Sequence, residues 1–228
     1  MFTLMSSCGP WEANCYLAGA AHSDECVLVD VGMDTSAAAE RMIAESGRTL
    51  VAVLSSHGHL DHVADAQRVA DAHDVPVWIH PADRHLLTDP VAGLGPQMGG
   101  LVEALYGSAT LPEPVQVREW SDGDRLDLAG LSWGVTHAPG HTPGSVLLRA
   151  TDGASSYVFS GDVLFAGSIG RTDLPGGSMR EMAASLRDVV LTLPYDLAVL
   201  PGHGAATTIG REAATNPYLH LSFLEQNS

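Results

Sequence analysis

Short apolar runs separated by Gly, Pro, Asn and Asp mark the chain from its first residues, and their spacing predicts strands at 2–5, 14–18, 26–30, 49–54 and 76–80. The run "TLVAVL" at 49–54 is continuous rather than alternating, as in a strand covered on both faces. Between these strands lie two stretches of helical pattern, "DTSAAAERMIAESG", closed by Gly47, and "DHVADAQRVADAHD". Residues 90–114, rich in Gly and Pro, read as a covering loop with a short amphipathic helix over 97–106. A second strand-rich stretch follows at 115–117, 125–128, 131–137, 145–149 and 157–160, then a helix "SMREMAASLRDVVLTL" and a last apolar strand at 196–200. Strands then helix, twice over, predict an α/β (α+β) chain of two similar halves, packed as helix layer, two sheets and helix layer: a four-layer αββα sandwich. No repeat of fixed period is visible and no Pro/Ser-rich linker divides the halves, so residues 1–228 read as a single domain.

Composition narrows the function classes. The chain is 45% hydrophobic and 17% charged, long enough for a substantial core. Its formal net charge is −16, and all 11 of its basic residues are arginine, which excludes a Schiff-base lysine and a P-loop lysine. Acidity of that size argues against nucleic acid or an anionic membrane as partner, since phosphates would be repelled. No apolar run approaches the ~20 residues of a spanning helix, and the amino terminus lacks a basic segment followed by a long apolar one. Three cysteines, Cys8, Cys15 and Cys26, form neither a CxxC nor an even framework. A cytoplasmic protein is the expectation.

The chemistry gathers at strand ends. "SSHGHLDH" follows the run at 49–54, and three further apolar runs end in glycine-rich turns: "HAPGHTPGS", "FSGD" and "LPGHG". These contribute His57, His59, Asp61 and His62, then His141, Asp162 and His203. A pattern H-x-H-x-D-H should arise by chance about 0.002 times in a chain of this composition, treating positions as independent. Seven ligand-type side chains exceed one tetrahedral site and suit two adjacent metals sharing a carboxylate. In an extended segment residues 57, 59 and 61 would face one way, with the turn after Leu60 bringing His62 round. His137, inside a strand, His80 in "WIHPAD", and His22, His73, His85 and His220 read as packing or structural residues. So do Trp11, Trp78, Trp120 and Trp133. G-x-S-x-G occurs once, as "GLSWG" at 130–134, but it opens the strand predicted at 131–137 rather than forming a strand-to-helix turn, which leaves a serine nucleophile unsupported.

H57-x-H59-x-D61-H62 followed in order by His141, Asp162 and His203 resembles the metallo-β-lactamase superfamily, whose fold is an αββα sandwich with metals at the sheet edges. The Asp61, Asp162 pair with five histidines, and the stretches "GDVLFAGSIGRTDLPGG" and "PGHGAATTIGREAATNP", are similar to the single-domain glyoxalase II-like thioester hydrolases. That resemblance implies two divalent metal ions per chain, zinc in the first place, with iron or manganese as alternatives. It places one on His57, His59 and His141 and the other on Asp61, His62 and His203, with Asp162 bridging. It also implies hydrolysis of a small-molecule thioester by a hydroxide shared between the metals, with Asp61 orienting the nucleophile. Where the two-domain relatives hold a carboxylate of the carrier thiol with a lysine and a tyrosine, this chain has Arg171 and Asp173. Arg171 can grip a carboxylate as a bidentate fork, whereas Asp173 would repel one. That departure turns the expectation away from glutathione, towards another low-molecular-weight thiol or a simple thioester. The alternative on the same scaffold is a persulfide dioxygenase with one iron on His57, His141 and Asp162.

Overall fold

The structure, a computed structural model, describes residues 1–227. Two six-stranded sheets pack face to face. The first runs in chain order: β1 (Phe2–Cys8), β2 (Ala13–Gly19), β3 (Glu25–Val29), β4 (Thr49–Leu54), β5 (Val77–Ile79) and β6 (Val117–Glu119). The second holds β7 (Arg125–Leu128), β8 (Leu131–His137), β9 (Val146–Asp152), β10 (Ser155–Gly161), β11 (Ala198–Pro201) and β12 (Thr207–Thr208), also as sequential neighbours. Helices α1 (Ser36–Ser46) and α3 (Ala66–Ala72) cover the first sheet, and α6 (Met179–Asp188) and α8 (Leu221–Gln226) cover the second.

Three apolar layers follow from strand periodicity. Leu17, Leu28 and Val53 point outward against Ala39, Met42 and Val69. Their neighbours Tyr16, Val27, Val29 and Leu54 point inward against Leu131, Trp133, Leu148 and Phe159. On the far side Leu147, Val158 and Val199 meet Met182, Leu186 and Leu224. Because successive side chains feed opposite layers, the central strands must be apolar at every position, which is why their runs do not alternate.

The αββα order is as expected, but several boundaries differ. The strand predicted at 115–117 begins at Val117 and pairs in parallel with β5, so it completes the first sheet rather than opening the second. Val115, expected inside it, is 80% exposed. The helix expected over 61–74 is two pieces, α2 (Leu60–Val63) and α3, because Asp65 leaves the helical path to accept the Ser36 amide at 2.8 Å. The covering segment contains α4 (Pro90–Leu94) as well as α5 (Gly99–Tyr106). Beyond the predicted last strand come β12, α7 (Ile209–Thr215) and α8, none of which was anticipated.

Candidate metal centre

Four loops at one edge of the sandwich deliver the chemistry. After β4 the chain turns through Ser55–Ser56 and presents His57 and His59. Asp61 and His62 then come from the first turn of α2, for which His59 is the N-cap residue. The extended alternation expected across 57–61 therefore stops at Leu60; helical geometry, not strand geometry, aims the last two. His141 stands in the loop after β8, Asp162 directly after β10, and His203 two residues after β11. Gly202 must be glycine here, since a β-carbon would lie 2.2 Å from Asp162 Oδ1.

All seven side chains converge, in three overlapping groups whose ligand-type atoms lie within 4.8 Å of one another: His57, His59 and His141; Asp61, His62 and His203; and His57, His62 and Asp162. The third group takes one histidine from each of the others, so Asp162 lies between them. His59 Nδ1 faces His141 Nε2 at 2.8 Å and His62 Nε2 faces His203 Nε2 at 3.2 Å. Asp162 Oδ2 is 3.5 Å from both His141 Nε2 and His203 Nε2, and Asp61 Oδ2 is 3.3 Å from His203 Nε2. His57 Nε2 and Asp162 Oδ1 are buried with no hydrogen-bond partner. Buried polar atoms normally find partners, and imidazole and carboxylate lone pairs aimed at a common point are donors suited to borderline or hard divalent cations. The residues fit metal binding.

Behind the cluster, the far ring nitrogens are held. His141 Nδ1 donates to the Arg171 carbonyl at 2.7 Å and His203 Nδ1 to the Trp11 carbonyl at 2.9 Å. His62 Nδ1 meets Asp30 Oδ2 at 3.1 Å, and His57 Nδ1 lies 3.0 Å from Ser56 Oγ. Such contacts fix the tautomer and leave the inner nitrogen free to bind. Asp30 also accepts from the Ser56 amide and hydroxyl, both at 2.7 Å. The sequence marks it only as the end of a strand, although "CVLVD" has the same apolar-run-then-carboxylate form as "YVFSGD". Asn14, inside the predicted second strand, donates to the Pro201 and Gly204 carbonyls on either side of the His203 turn, at 3.0 and 2.9 Å.

Burial and the site's charges divide the histidines. Burial, then the His62 charge, holds His57 well below the usual imidazole range. Burial, then His141, lowers His59 to about 4, and burial lowers His141 to about 4 against the pull of the Arg171 carbonyl. For His62 burial acts the same way but is outweighed by Asp162, Asp61 and Asp30, which raise it to about 10. His203 is also raised, by Asp61 and Asp162 against its own burial. Burial pushes Asp162 upward, while for Asp61 the neighbouring His62 and His203 outweigh burial and hold it well below the carboxylate range. His57, His59 and His141 thus sit neutral, the state in which imidazole is a ligand.

A cavity of about 400 Å³ opens onto the cluster, walled on its apolar side by Trp11, Leu60, Leu94, Met98, Phe165 and Leu174. Trp11 therefore does not only pack against a loop, as expected from the sequence: it is 38% exposed and lines the cavity. The turn containing Glu12, at φ 53°, swings it there. Trp120 and Trp133 are core residues, and the half-buried Trp78 packs against them, stacked on Trp120 at 6.0 Å. Leu94, Gln97 and Met98 place the segment 93–100 over the site. Arg171 lines the cavity too, with its guanidinium in a fork to Asp173, both contacts at 2.7 Å. His80 and His137 stack on each other at 4.3 Å, outside the cluster.

This geometry agrees with the kinship of the chain. The model of the metallo-beta-lactamase superfamily matches residues 8–203, which includes all seven site residues. An uncharacterized protein of Mycobacterium tuberculosis is 45% identical over 215 residues, covering 92% of this chain and 94% of its own. The hydroxyacylglutathione hydrolase GloC of Haemophilus influenzae is 35% identical over 193 residues, 82% of this chain and 86% of that protein. Among solved structures, the BLEG-1 B3 metallo-beta-lactamase superposes with a TM-score of 0.82 at 34% identity, covering 96% of this chain and 99% of the other. TTHA1623, solved in a di-iron-bound form, gives 0.76 at 36%, covering 95% and 100%. ETHE1 from Myxococcus xanthus gives 0.76 at 25%, covering 100% and 90%. With its two sheets between helices and its His/Asp cluster at their edge, the chain belongs to the metallo-beta-lactamase superfamily.

Proposed function

We propose that the chain is a metallo-hydrolase that cleaves a thioester of a low-molecular-weight thiol. The observation that carries this reading is the cysteine-free set of five imidazoles and two carboxylates opening onto a half-apolar cavity. A structural site would be closed and usually cysteine-rich. His57, His59 and His141 would hold one divalent ion, Asp61, His62 and His203 a second, and Asp162 lies where it can serve both. Ions held there would supply Lewis acidity and an acidified water. Zinc suits the donor set best, with iron or manganese as alternatives. The likeness to GloC supports a thioester as substrate.

The chain's own residues do the rest. Asp61, held ionised, accepts a hydrogen bond from the attacking water and orients it towards the carbonyl. Trp11, Phe165, Leu94 and Met98 enclose the substrate's apolar part and exclude bulk water. Arg171 is anchored beside His141 through its carbonyl and would orient an acidic tail on the carrier thiol, once its fork to Asp173 opens. A thiolate is a stable leaving group at neutral pH, so no dedicated general acid is needed.

The second reading is the dioxygenase already raised by the sequence, oxidation of a persulfide on a single iron that His57, His141 and Asp162, which converge here, would hold. Elemental analysis of protein purified without added metal separates the two. About two equivalents of zinc, manganese or iron, with turnover on a panel of acyl thioesters and none on a β-lactam, is the expected result. One equivalent of iron with oxygen uptake on a persulfide, and no thioester turnover, would replace the hydrolase by the dioxygenase.

A further inference from the structure

Asp83 is a fully buried carboxylate lying outside the seven-residue cluster. It stands in the 3-10 turn Pro81–Leu87 that follows β5. No cationic group pairs with it among the described contacts. Instead its two oxygens accept three hydrogen bonds from two different ligand loops. Oδ2 takes the Gly58 amide at 2.8 Å, from the residue between His57 and His59, and the Thr142 hydroxyl at 2.6 Å, from the residue after His141. Oδ1 takes the Gly144 amide at 2.7 Å. The approach is so close that a β-carbon on Gly144 would lie 2.5 Å from Asp83 Cγ, and one on Gly58 would lie 2.9 Å from the Asp83 carbonyl oxygen. The Asp83 carboxyl thus requires Gly144, while Gly58 is required by the Asp83 backbone together with Leu86 of the same turn, whose Cβ would lie 2.8 Å away. Placing an ionised group out of water is costly unless it is fully hydrogen-bonded. Here every bond it makes joins the loop of His57 and His59 to the loop of His141.

We propose that Asp83 is a positioning residue that sets the register between these two loops, and so holds His57, His59 and His141 at ligand spacing before any metal arrives. The proposal rests on the metallo-hydrolase reading of the cluster. Asp83 touches none of the seven residues through its side chain. Its effect should therefore fall on the site shared by both loops and leave the other largely as it is, since His62 is held by Asp30, His203 by the Trp11 carbonyl, and Asp61 lies against His203.

The test is cobalt(II) titrated into chelator-stripped protein, followed by absorption and calorimetry, for the native chain, Asp83→Ala, Asp83→Asn and Thr142→Val. Native protein should take up two equivalents. Asp83→Ala should weaken one of them by about 10- to 100-fold, the scale seen when the partner of a metal ligand is removed, and leave the other within about threefold. Asp83→Asn, which keeps one acceptor oxygen, should fall between. Thr142→Val, which removes the hydroxyl's bond to Asp83 along with its contact to Ser145 Oγ, should weaken the same site several-fold, and it carries the test should Asp83→Ala not fold. In the metal-free state, amide hydrogen exchange should quicken at both 55–59 and 140–145 in Asp83→Asn. Unchanged affinity at both sites in Asp83→Asn and Thr142→Val would overturn the proposal alone. So would a loss shared equally by both sites. A native chain that binds no cobalt would overturn the metal reading and the proposal with it.

Discussion

Single residues carry unequal shares of the proposed chemistry. Asp162 is buried between the two histidine sets with an unpartnered oxygen, whereas the Arg171 side chain is 60% exposed and already paired with Asp173. Asp162→Ala should therefore lower kcat/KM by at least about a hundredfold, because it removes a group shared by both halves of the site. Arg171→Ala should instead raise KM for acidic thioesters by about three- to tenfold with kcat little changed, the signature of lost uniform binding. Steady-state kinetics on one acidic and one neutral thioester check both; equal KM values for Arg171→Ala and the native chain would remove Arg171 from substrate binding. At this scale the seven clustered residues were legible because histidine is rare and its spacing here is improbable by chance. Asp30 and Asp83 were not. Among 27 acidic residues on a chain of this charge most are solvated, and nothing local marks the few that turn inward.

At the scale of elements, boundaries were set by contacts between distant segments. The α6 helix illustrates the link from sequence to site. Ser178 caps it, its hydroxyl accepting from the Glu181 amide at 3.2 Å in the S-x-x-E pattern, while the Ser178 amide donates to the Gly140 carbonyl at 2.8 Å, one residue before His141. Ser178→Ala removes the cap but keeps the backbone bond. It should cost about 1 kcal/mol of stability in urea unfolding and leave the metal stoichiometry unchanged; a fall in stoichiometry would mean that the cap also holds the His141 loop. Long, strongly patterned elements such as β4, β8 and α1 were readable. The split between α2 and α3 was not, since the pattern is helical throughout and the break comes from another segment, with the Asp65 amide donating to the Val31 carbonyl at 3.1 Å and its carboxylate accepting from the Ser36 amide. The β6 strand was expected two residues early and in the other sheet for a related reason: three residues that pair across to β5 carry too little periodicity to fix their bounds or their partner.

For the whole molecule, the joint between the sheets can be probed through Tyr16. Its ring meets Phe159 edge-on at 5.4 Å, and its hydroxyl donates to the Pro201 carbonyl at 2.8 Å, beside the His203 turn. Burial, assisted by Asp30 and Cys15 against the Asn14 hydrogen bond, raises its pKa well above the ordinary phenol value. The folded state therefore favours the neutral phenol, and its stabilising effect is complete below pH 10. It is lost as pH rises above 10 towards the raised folded-state value, a range in which only the unfolded chain ionises readily, at up to about 1.4 kcal/mol per pH unit. Urea unfolding across pH 9 to 11 should show Tyr16→Phe with a shallower decline by about one proton; parallel curves would mean that the hydroxyl is not shielded. The sequence by itself determined the layer order, because strands buried on both faces must be apolar throughout, and it determined the chemical kind of the site, because ligand-type residues are scarce and were grouped after apolar runs. Only the tertiary structure decided which carboxylates stand behind the ligands, which aromatic ring walls the cavity and where helices break. Those outcomes depend on hydrogen bonds and close approaches between segments up to 192 residues apart, such as Trp11 with His203, and no local pattern encodes such a meeting.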